Sequence, residues 1–167
     1  FLFVLLFAPF LVKSALAEKI DSYDVSIVAH KDGSMNIVET IQYDFENLNK
    51  HGIYRYIPLY SKVGNLYRVI NISNVEITRD GKKEKFTTSR DKEQINFKIG
   101  NPDKTITGPH LYKISYSVNN GIGSNYETHD EIYWNGTGND WQVVIEKASI
   151  KFASDFGIES QELKCFT

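Results

Sequence analysis

Hydrophobic and polar residues alternate with a period of two along most of the chain beyond its first seventeen residues. The alternation is clearest at 112–118, where tyrosine, isoleucine, tyrosine and valine are separated by lysine and serine. It recurs at 35–45 and 95–99, and a shorter run begins at Val25. A period of two is typical of a β-strand with one buried and one solvated face. The body of the chain is therefore predicted to be a succession of strands.

Turn-forming residues separate these runs at short intervals. Asp-Gly stands at 32–33 and at 80–81, and it favours tight hairpin turns because it tolerates positive φ. Looser loops are predicted at 101–103 and 119–121. No long helical pattern follows the N-terminal segment. We therefore predict an all-β fold, an antiparallel β-sandwich of the immunoglobulin-like or a related class, preceded by an N-terminal signal helix.

Two of the predicted strands change phase along their length. Apolar residues occupy odd positions from 141 to 145 and even positions from 148 to 152. One face of a strand cannot change parity without an extra residue, so a bulge or bend is predicted at 146–147. A similar irregularity is predicted between Ile72 and Val75.

The N-terminal segment has the form of an export signal. Residues 1–12 are apolar without interruption, and Ala15 and Ala17 form the A-x-A pattern of a signal-peptidase site. Twelve apolar residues are too few for a membrane-spanning helix, which needs about 20. We predict a signal peptide at 1–17, an extracytoplasmic β-sandwich domain at 18–155 and the start of a linker at 156–167. Because Met35 is the only methionine, we expect the chain to be a fragment of a longer protein.

Composition excludes several classes of site. The chain is 41% hydrophobic and 24% charged, which is typical of a globular protein. A formal net charge of −2 lacks the basic field of a general nucleic-acid binder, so no nucleic-acid partner is expected. A single cysteine, Cys165, excludes an intrachain disulfide and a cysteine-rich zinc site. The four histidines lack metal-ligand spacing, and no nucleophile elbow, P-loop or dinucleotide fingerprint occurs. We expect no cofactor and no enzymatic activity.

One carboxylate lies on the apolar side of its strand. Glu39 stands between Ile37 and Ile41, so its side chain is predicted to point into the core. A buried carboxylate needs a partner or becomes protonated. Arg55 is one connection away and is the nearest plausible partner. A perturbed acid in a cleft is one interpretation, and we favour the other, a structural ion pair.

The segment 128–141 has the densest set of chemically capable residues. Three interpretations stay open: a glycosidase-like carboxylate pair of Glu131 and Asp140, a calcium loop, or an ordinary hairpin. In the hairpin, which we favour, Ile132 and Trp134 point inward, 135–140 form the turn and Trp141 packs on the core. The candidate ligand or metal residues are Asp130, Glu131, Trp134, Asn135, Asp140 and Trp141.

The order of segments resembles a known family. The resembling stretches are Ile20-Asp21-Ser22-Tyr23-Asp24-Val25, Asp32-Gly33-Ser34 before Val38-Glu39-Thr40-Ile41, Gly52-Ile53-Tyr54-Arg55, Ile57-Pro58, Tyr112-Lys113-Ile114-Ser115-Tyr116, and Asp130-Glu131-Ile132-Tyr133-Trp134-Asn135 with Gly138 and Trp141. Between about Glu18 and Phe152 the chain is similar to the N-terminal extracytoplasmic domain of bacterial predicted membrane proteins, domain of unknown function 2207. This resemblance implies a signal, a β-rich domain outside the cytoplasmic membrane, and later transmembrane helices. It carries over no catalytic residue. The chain departs from this plan because it stops at Thr167 before any span, so we expect a truncated chain or a secreted remnant.

Three functional hypotheses follow. The favoured one is a non-catalytic, exported domain of a membrane-anchored envelope protein, on the outer face of the cytoplasmic membrane, in the periplasm or outside the cell. It would bind an envelope protein or a glycan, and its link to the membrane would be C-terminal spans. The alternatives are a cell-wall glycan hydrolase that uses Asp130, Glu131 or Asp140 as acid and base, and a calcium-stabilised adhesion module.

Overall fold

The computed structural model describes residues 17–63, 66–123 and 129–157. The predicted signal helix, apart from Ala17, lies outside these residues, as does Cys165. Within the described ranges the chain forms strands and no helix. The strands are β1 (Lys19–Ala29), β2 (Met35–Asp44), β3 (Gly52–Pro58), β4 (Tyr60–Val63), β5 (Leu66–Val69), β6 (Asn71–Arg79), β7 (Lys82–Lys83), β8 (Phe86–Arg90), β9 (Gln94–Gly100), β10 (Pro109–Asn119), β11 (Ile122–Gly123), β12 (Glu131–Ile132), β13 (Val144–Ile145) and β14 (Ala148–Ser154). The predicted all-β class is confirmed.

The largest sheet contains seven strands in the order β13-β1-β2-β10-β6-β7, and β14 pairs with β1 beside β13. Its central pairs are antiparallel, whereas β13 and β14 run parallel to β1. The purely antiparallel arrangement predicted from the sequence is therefore wrong. Parallel pairing requires a long crossover, and here the chain passes through the whole remainder of the fold between β1 and β14.

A second sheet of three strands has the order β3-β9-β8. Gly52 and Gly100 face each other across β3 and β9 with φ of 144° and 136°. A Cβ at Gly52 would meet the carbonyl oxygen of Ile99, and one at Gly100 would meet that of His51. The two backbones approach too closely here for any side chain, so this end of the pair requires glycine.

The buried faces of the two sheets form one hydrophobic cluster. Alternate residues of β1, β2 and β10 supply one side of it, and Ile53, Ile57, Phe97 and Ile99 are among those from the small sheet. Because every second side chain is buried along β2, β3, β9 and most of β10, the period of two in the sequence is the direct cause of this core.

The predicted local features are confirmed. Residues 31–34 form the β1–β2 turn, and 79–82 form the β6–β7 turn. The chain leaves the sheet register at 146–147, between β13 and β14. In β6 the register shifts between Ser73 and Glu76, where Asn74 has a φ of 53°. No helix in the described part of the chain is long and apolar enough to cross a bilayer.

Candidate functional site

The structure brings Glu39 and Arg55 together in the centre of the molecule. Arg55 donates from Nε to Oε2 of Glu39 at 2.8 Å and from Nη2 to Oε1 at 2.7 Å. Their side chains are 0% and 2% exposed. This bidentate geometry is the strong form of a carboxylate–guanidinium pair. Because Glu39 belongs to β2 and Arg55 to β3, the pair also joins the large sheet to the small one.

Two tyrosines complete the coordination of the carboxylate. Tyr23 donates to Oε2 of Glu39 at 2.6 Å, and Tyr116 donates to Oε1 at 2.5 Å. Tyr23 lies opposite Ile41 and Tyr116 lies opposite Ile37, so each is a diagonal neighbour of Glu39. Aromatic side chains reach across that diagonal. We name Glu39, Arg55, Tyr23 and Tyr116 the buried tetrad.

The sequence analysis missed both tyrosine hydroxyls. Tyr23 and Tyr116 stand on the apolar parity of their strands, which indicated burial but not hydrogen bonding. The sequence did offer one indication, because a tyrosine hydroxyl that is buried near a carboxylate usually donates a hydrogen bond to it. Using that signal required the strand order β1-β2-β10, which local patterns do not contain.

The environment of the tetrad favours neutral tyrosines and a charged arginine. Burial, followed by the negative charge of Glu39, raises the pKa of Tyr23 and of Tyr116 well above the usual tyrosine range. Burial alone would lower the pKa of Arg55, but the neighbouring Glu39 raises it overall. The site therefore holds one fixed ion pair and two protonated hydroxyls at physiological pH.

A loop at 134–141 closes over the guanidinium. Arg55 donates from Nη1 to the carbonyl of Tyr56 at 2.5 Å and from Nη2 to the carbonyl of Gly136 at 3.3 Å. A Cβ at Gly138, whose φ is 80°, would collide with Nη1 of Arg55. The loop backbone thus lies directly against the charged group, and this contact links segments 81 residues apart in the chain.

The loop is internally braced. Oδ1 of Asn135 accepts a hydrogen bond from the amide of Gly138 at 3.0 Å, and Nδ2 of Asn135 donates to Asn139 at 2.9 Å. The indole of Trp141 donates to the carbonyl of Thr137 at 2.7 Å and stands edge-on to Tyr23 with ring centroids 5.8 Å apart.

The hairpin predicted for 132–141 is wrong, although its inward side chains are correct. Ile132, Trp134 and Trp141 pack against the core. However, β12 pairs with β11, and Trp141 lies outside any strand. The Asn/Gly-rich residues form a packed loop because Arg55 donates to the carbonyl of Gly136, which a free hairpin turn would leave to water.

The predicted carboxylates do not join the tetrad. Asp130, Glu131 and Asp140 are exposed to solvent. The cavity described below is lined by other residues. Among the described residues, no group of three or more histidine, cysteine, aspartate or glutamate side chains could hold a metal ion. The tetrad itself is closed: Glu39 accepts four hydrogen bonds from protein donors and is inaccessible to a substrate, so its chemistry is structural.

Comparison with known proteins identifies the family. The family model described as "Predicted membrane protein (DUF2207) N-terminal domain" matches residues 19–161, which confirms the resemblance seen in the sequence. A comparison with curated proteins gave no match.

The fold shows a weak likeness to parts of larger solved structures. An M1 zinc metallopeptidase from Deinococcus radiodurans is 8% identical, with a TM-score of 0.38, over 60% of this chain and 20% of that protein. Yeast LTA4 hydrolase is 12% identical, with a TM-score of 0.43, over 60% of this chain and 14% of that enzyme. The chain thus spans a fifth or less of their lengths, and a likeness at this level assigns neither activity nor ligand.

Proposed function

The chain belongs to the DUF2207 family of predicted membrane proteins as an N-terminal domain, and on this premise we propose that it is a non-catalytic, extracytoplasmic interaction domain of a membrane-anchored envelope protein. In this proposal residues 18–155 form a β-sandwich of the immunoglobulin-like or a related class, and 156–167 begin a linker to membrane spans. The A-x-A pattern after the apolar segment supports export, and the description of the family supports a membrane anchor.

The observation that carries the non-catalytic role is the saturation of the buried tetrad. A reactive acid or base needs access to a substrate and an unsatisfied bonding capacity. Glu39 has neither, because four protein donors occupy its oxygens and its side chain is fully buried. Such a network makes a rigid support for surface segments, among them the 134–141 loop, which suits binding better than turnover.

The location is tested by thiol labelling of the full-length membrane protein in intact native cells. Ser89 is exposed on β8, so Ser89→Cys in a Cys165→Ser background offers one accessible thiol in this domain. We expect a membrane-impermeant maleimide to label this variant without permeabilisation, and the Cys165→Ser variant alone supplies the background. Labelling that appears only after permeabilisation would place the domain in the cytoplasm and refute the proposal.

The absence of catalysis is tested with cell-wall glycan. We expect the purified protein to release no reducing ends above a buffer control, and we expect Glu131→Gln and Asp140→Asn to change nothing. Release that disappears in either variant would establish the hydrolase alternative instead.

The calcium alternative is tested by thermal unfolding. We expect the melting temperature to be the same with calcium and with chelator, and a rise with calcium would favour the adhesion module.

A further inference from the structure

A basic cavity of about 490 Å³ lies between the β6–β7 turn and the segment 101–106. Five cationic side chains line it, and two carboxylates accompany them. The cations are Arg79, Lys82, Lys83, Lys85 and Lys104. This concentration of positive charge stands out in a chain whose formal net charge is −2.

Both carboxylates of the cavity already have partners. Glu84 accepts from Nε of Arg79 at 2.5 Å and from the amide of Lys85 at 3.0 Å. Asp80 contacts Nδ1 of His110 at 2.7 Å and accepts from the amide of Leu111 at 3.0 Å. Arg79 pairs with Glu84, and the five cations outnumber the two carboxylates, so the cavity keeps a net positive charge.

The four lysines of the cavity form no direct pair within the described structure. In the part of the chain that the structure describes, the ammonium groups of Lys82, Lys83, Lys85 and Lys104 make no hydrogen bond or ion pair, and all four residues are exposed. Like charges gathered on one concave surface raise the local concentration of anions. The positive charge therefore favours an anionic ligand.

The far wall of the cavity is held in place. Nδ1 of His51 lies 3.0 Å from the carbonyl oxygen of Lys104 and 3.3 Å from that of Asn101. Lys50 and Ile106 exchange two backbone hydrogen bonds, of 3.1 Å and 2.8 Å. Because the segment 101–106 is tethered to Lys50 and His51, directly before β3, this wall keeps its shape without a ligand, which reduces the entropic cost of binding.

The cavity and the end of β14 lie at opposite ends of the large sheet. Arg79 pairs with Tyr112 near the start of β10, whereas β14 ends at Ser154 beside Ala29, at the opposite end of the large sheet. Val118 of β10 is level with that opposite end, and the strand from Tyr112 to Val118 is roughly 20 Å long. β14 therefore ends at the end of the large sheet away from the cavity.

From these observations we propose that the basic cavity binds the phosphate groups of an anionic envelope polymer, and not the headgroups of the membrane. This proposal rests on the extracytoplasmic location proposed above. A polymer fits because the four lysines lie on two separate segments and are flexible point charges, which suit repeated phosphates better than one oriented small molecule.

The test measures binding of linear inorganic polyphosphate to the purified chain at several salt concentrations. The variant Lys82→Gln/Lys83→Gln/Lys85→Gln removes three charges from the cavity. The matched control, Lys92→Gln/Lys113→Gln/Lys151→Gln, removes three exposed charges elsewhere. We expect the cavity variant to bind at least about tenfold more weakly, with a shallower dependence of affinity on salt, while the control binds like wild type. The melting temperatures should agree, because all six lysines are exposed.

Four results would overturn the proposal. Equal weakening in both triple variants would indicate a general charge effect, and wild-type affinity in the cavity variant would place the site elsewhere. Binding to phosphatidylglycerol vesicles without binding to polyphosphate would indicate a lipid ligand, and no binding to either probe would leave the cavity without an anionic ligand. Because this assay uses purified protein, its failure is distinct from failure of the thiol-labelling experiment, which tests location alone.

Discussion

The buried carboxylate of Glu39 is tolerated in the core only because its partners replace the water that it loses. A carboxylate at a fully buried position loses its hydration, and the free energy of that loss is several kcal/mol. Here two guanidinium N–H groups and two phenolic hydroxyls replace the water. The arrangement need not be more stable than a wholly apolar core, but removing one member leaves the others buried and unpaired.

We predict that Glu39→Gln lowers the free energy of unfolding by about 3–5 kcal/mol, because Arg55 then keeps a buried charge without a counter-ion. Urea denaturation measures the change. Glu146→Gln is the control, since Glu146 forms an exposed ion pair with Lys19 and such pairs contribute little. An unchanged melting temperature in Glu39→Gln would contradict the structural role of the pair.

A second prediction compares two tyrosines on the same strand. Tyr116→Phe removes a hydrogen bond to a charged acceptor and should cost about 1.5–3 kcal/mol of unfolding free energy. Tyr112 is equally buried, but within the described structure its hydroxyl has no hydrogen-bond partner. Tyr112→Phe should therefore be neutral or stabilising. If the two variants have the same stability, the hydroxyl of Tyr116 does not bond Glu39 as described.

At the scale of elements, the 134–141 loop shows how a strand and an irregular segment depend on each other. β3 places the Arg55 side chain in the core. The loop supplies the carbonyl of Gly136 as an acceptor for Arg55, and Gly138, which has no Cβ, leaves room for the guanidinium. Since Gly136 also lies against Ile150 of β14 and Val25 of β1, the loop packs on strands that are far apart in the sequence.

We predict that Gly138→Ala destabilises the protein more than Gly33→Ala. Both glycines have similar φ, 80° and 83°, so the backbone strain of alanine, roughly 1 kcal/mol, is matched. Only at Gly138 does the new methyl group meet Arg55, whereas Gly33 faces open space. Thermal unfolding measures the difference, and near-ultraviolet circular dichroism reports the displacement of Trp141. Equal melting temperatures would show that the loop moves away from Arg55 without loss of stability.

At the scale of the whole molecule, the hydroxyls of four buried tyrosines make the stability of the fold depend on pH in the alkaline range. Burial is the leading cause that raises the pKa of Tyr23, Tyr43, Tyr112 and Tyr116 above the usual tyrosine range. The folded protein therefore keeps these protons at a pH at which the unfolded chain loses them. A raised folded-state pKa stabilises fully below the unfolded value, about 10, and this contribution is lost as pH rises above it.

Accordingly, we predict that the free energy of unfolding falls above about pH 10, by up to roughly 1.4 kcal/mol per pH unit for each of these tyrosines. Urea midpoints between about pH 8 and 11 measure the slope. Tyrosinate absorbance should show these hydroxyls ionising only when the protein unfolds. Their complete ionisation in a protein that keeps its native circular dichroism would disprove this linkage.

The features that the sequence by itself determined are those set by near neighbours. The period of two decides which side chains share a face, Asp-Gly decides the turns at 32–33 and 80–81, and a parity change requires the irregularities at 146–147 and near Asn74. The burial of Glu39 follows from the same rule. Family membership was also readable, because the order of short motifs is a property of the chain.

Only the tertiary structure decided which distant groups meet. Parallel pairing of β14 with β1, the two hydroxyls on Glu39, the loop over Arg55 and the basic cavity between 79–85 and 101–106 all join segments far apart in sequence. Local pattern indicates whether a side chain is buried, but not which partner it meets. That choice depends on strand order and crossover, which the packing of the complete chain selects.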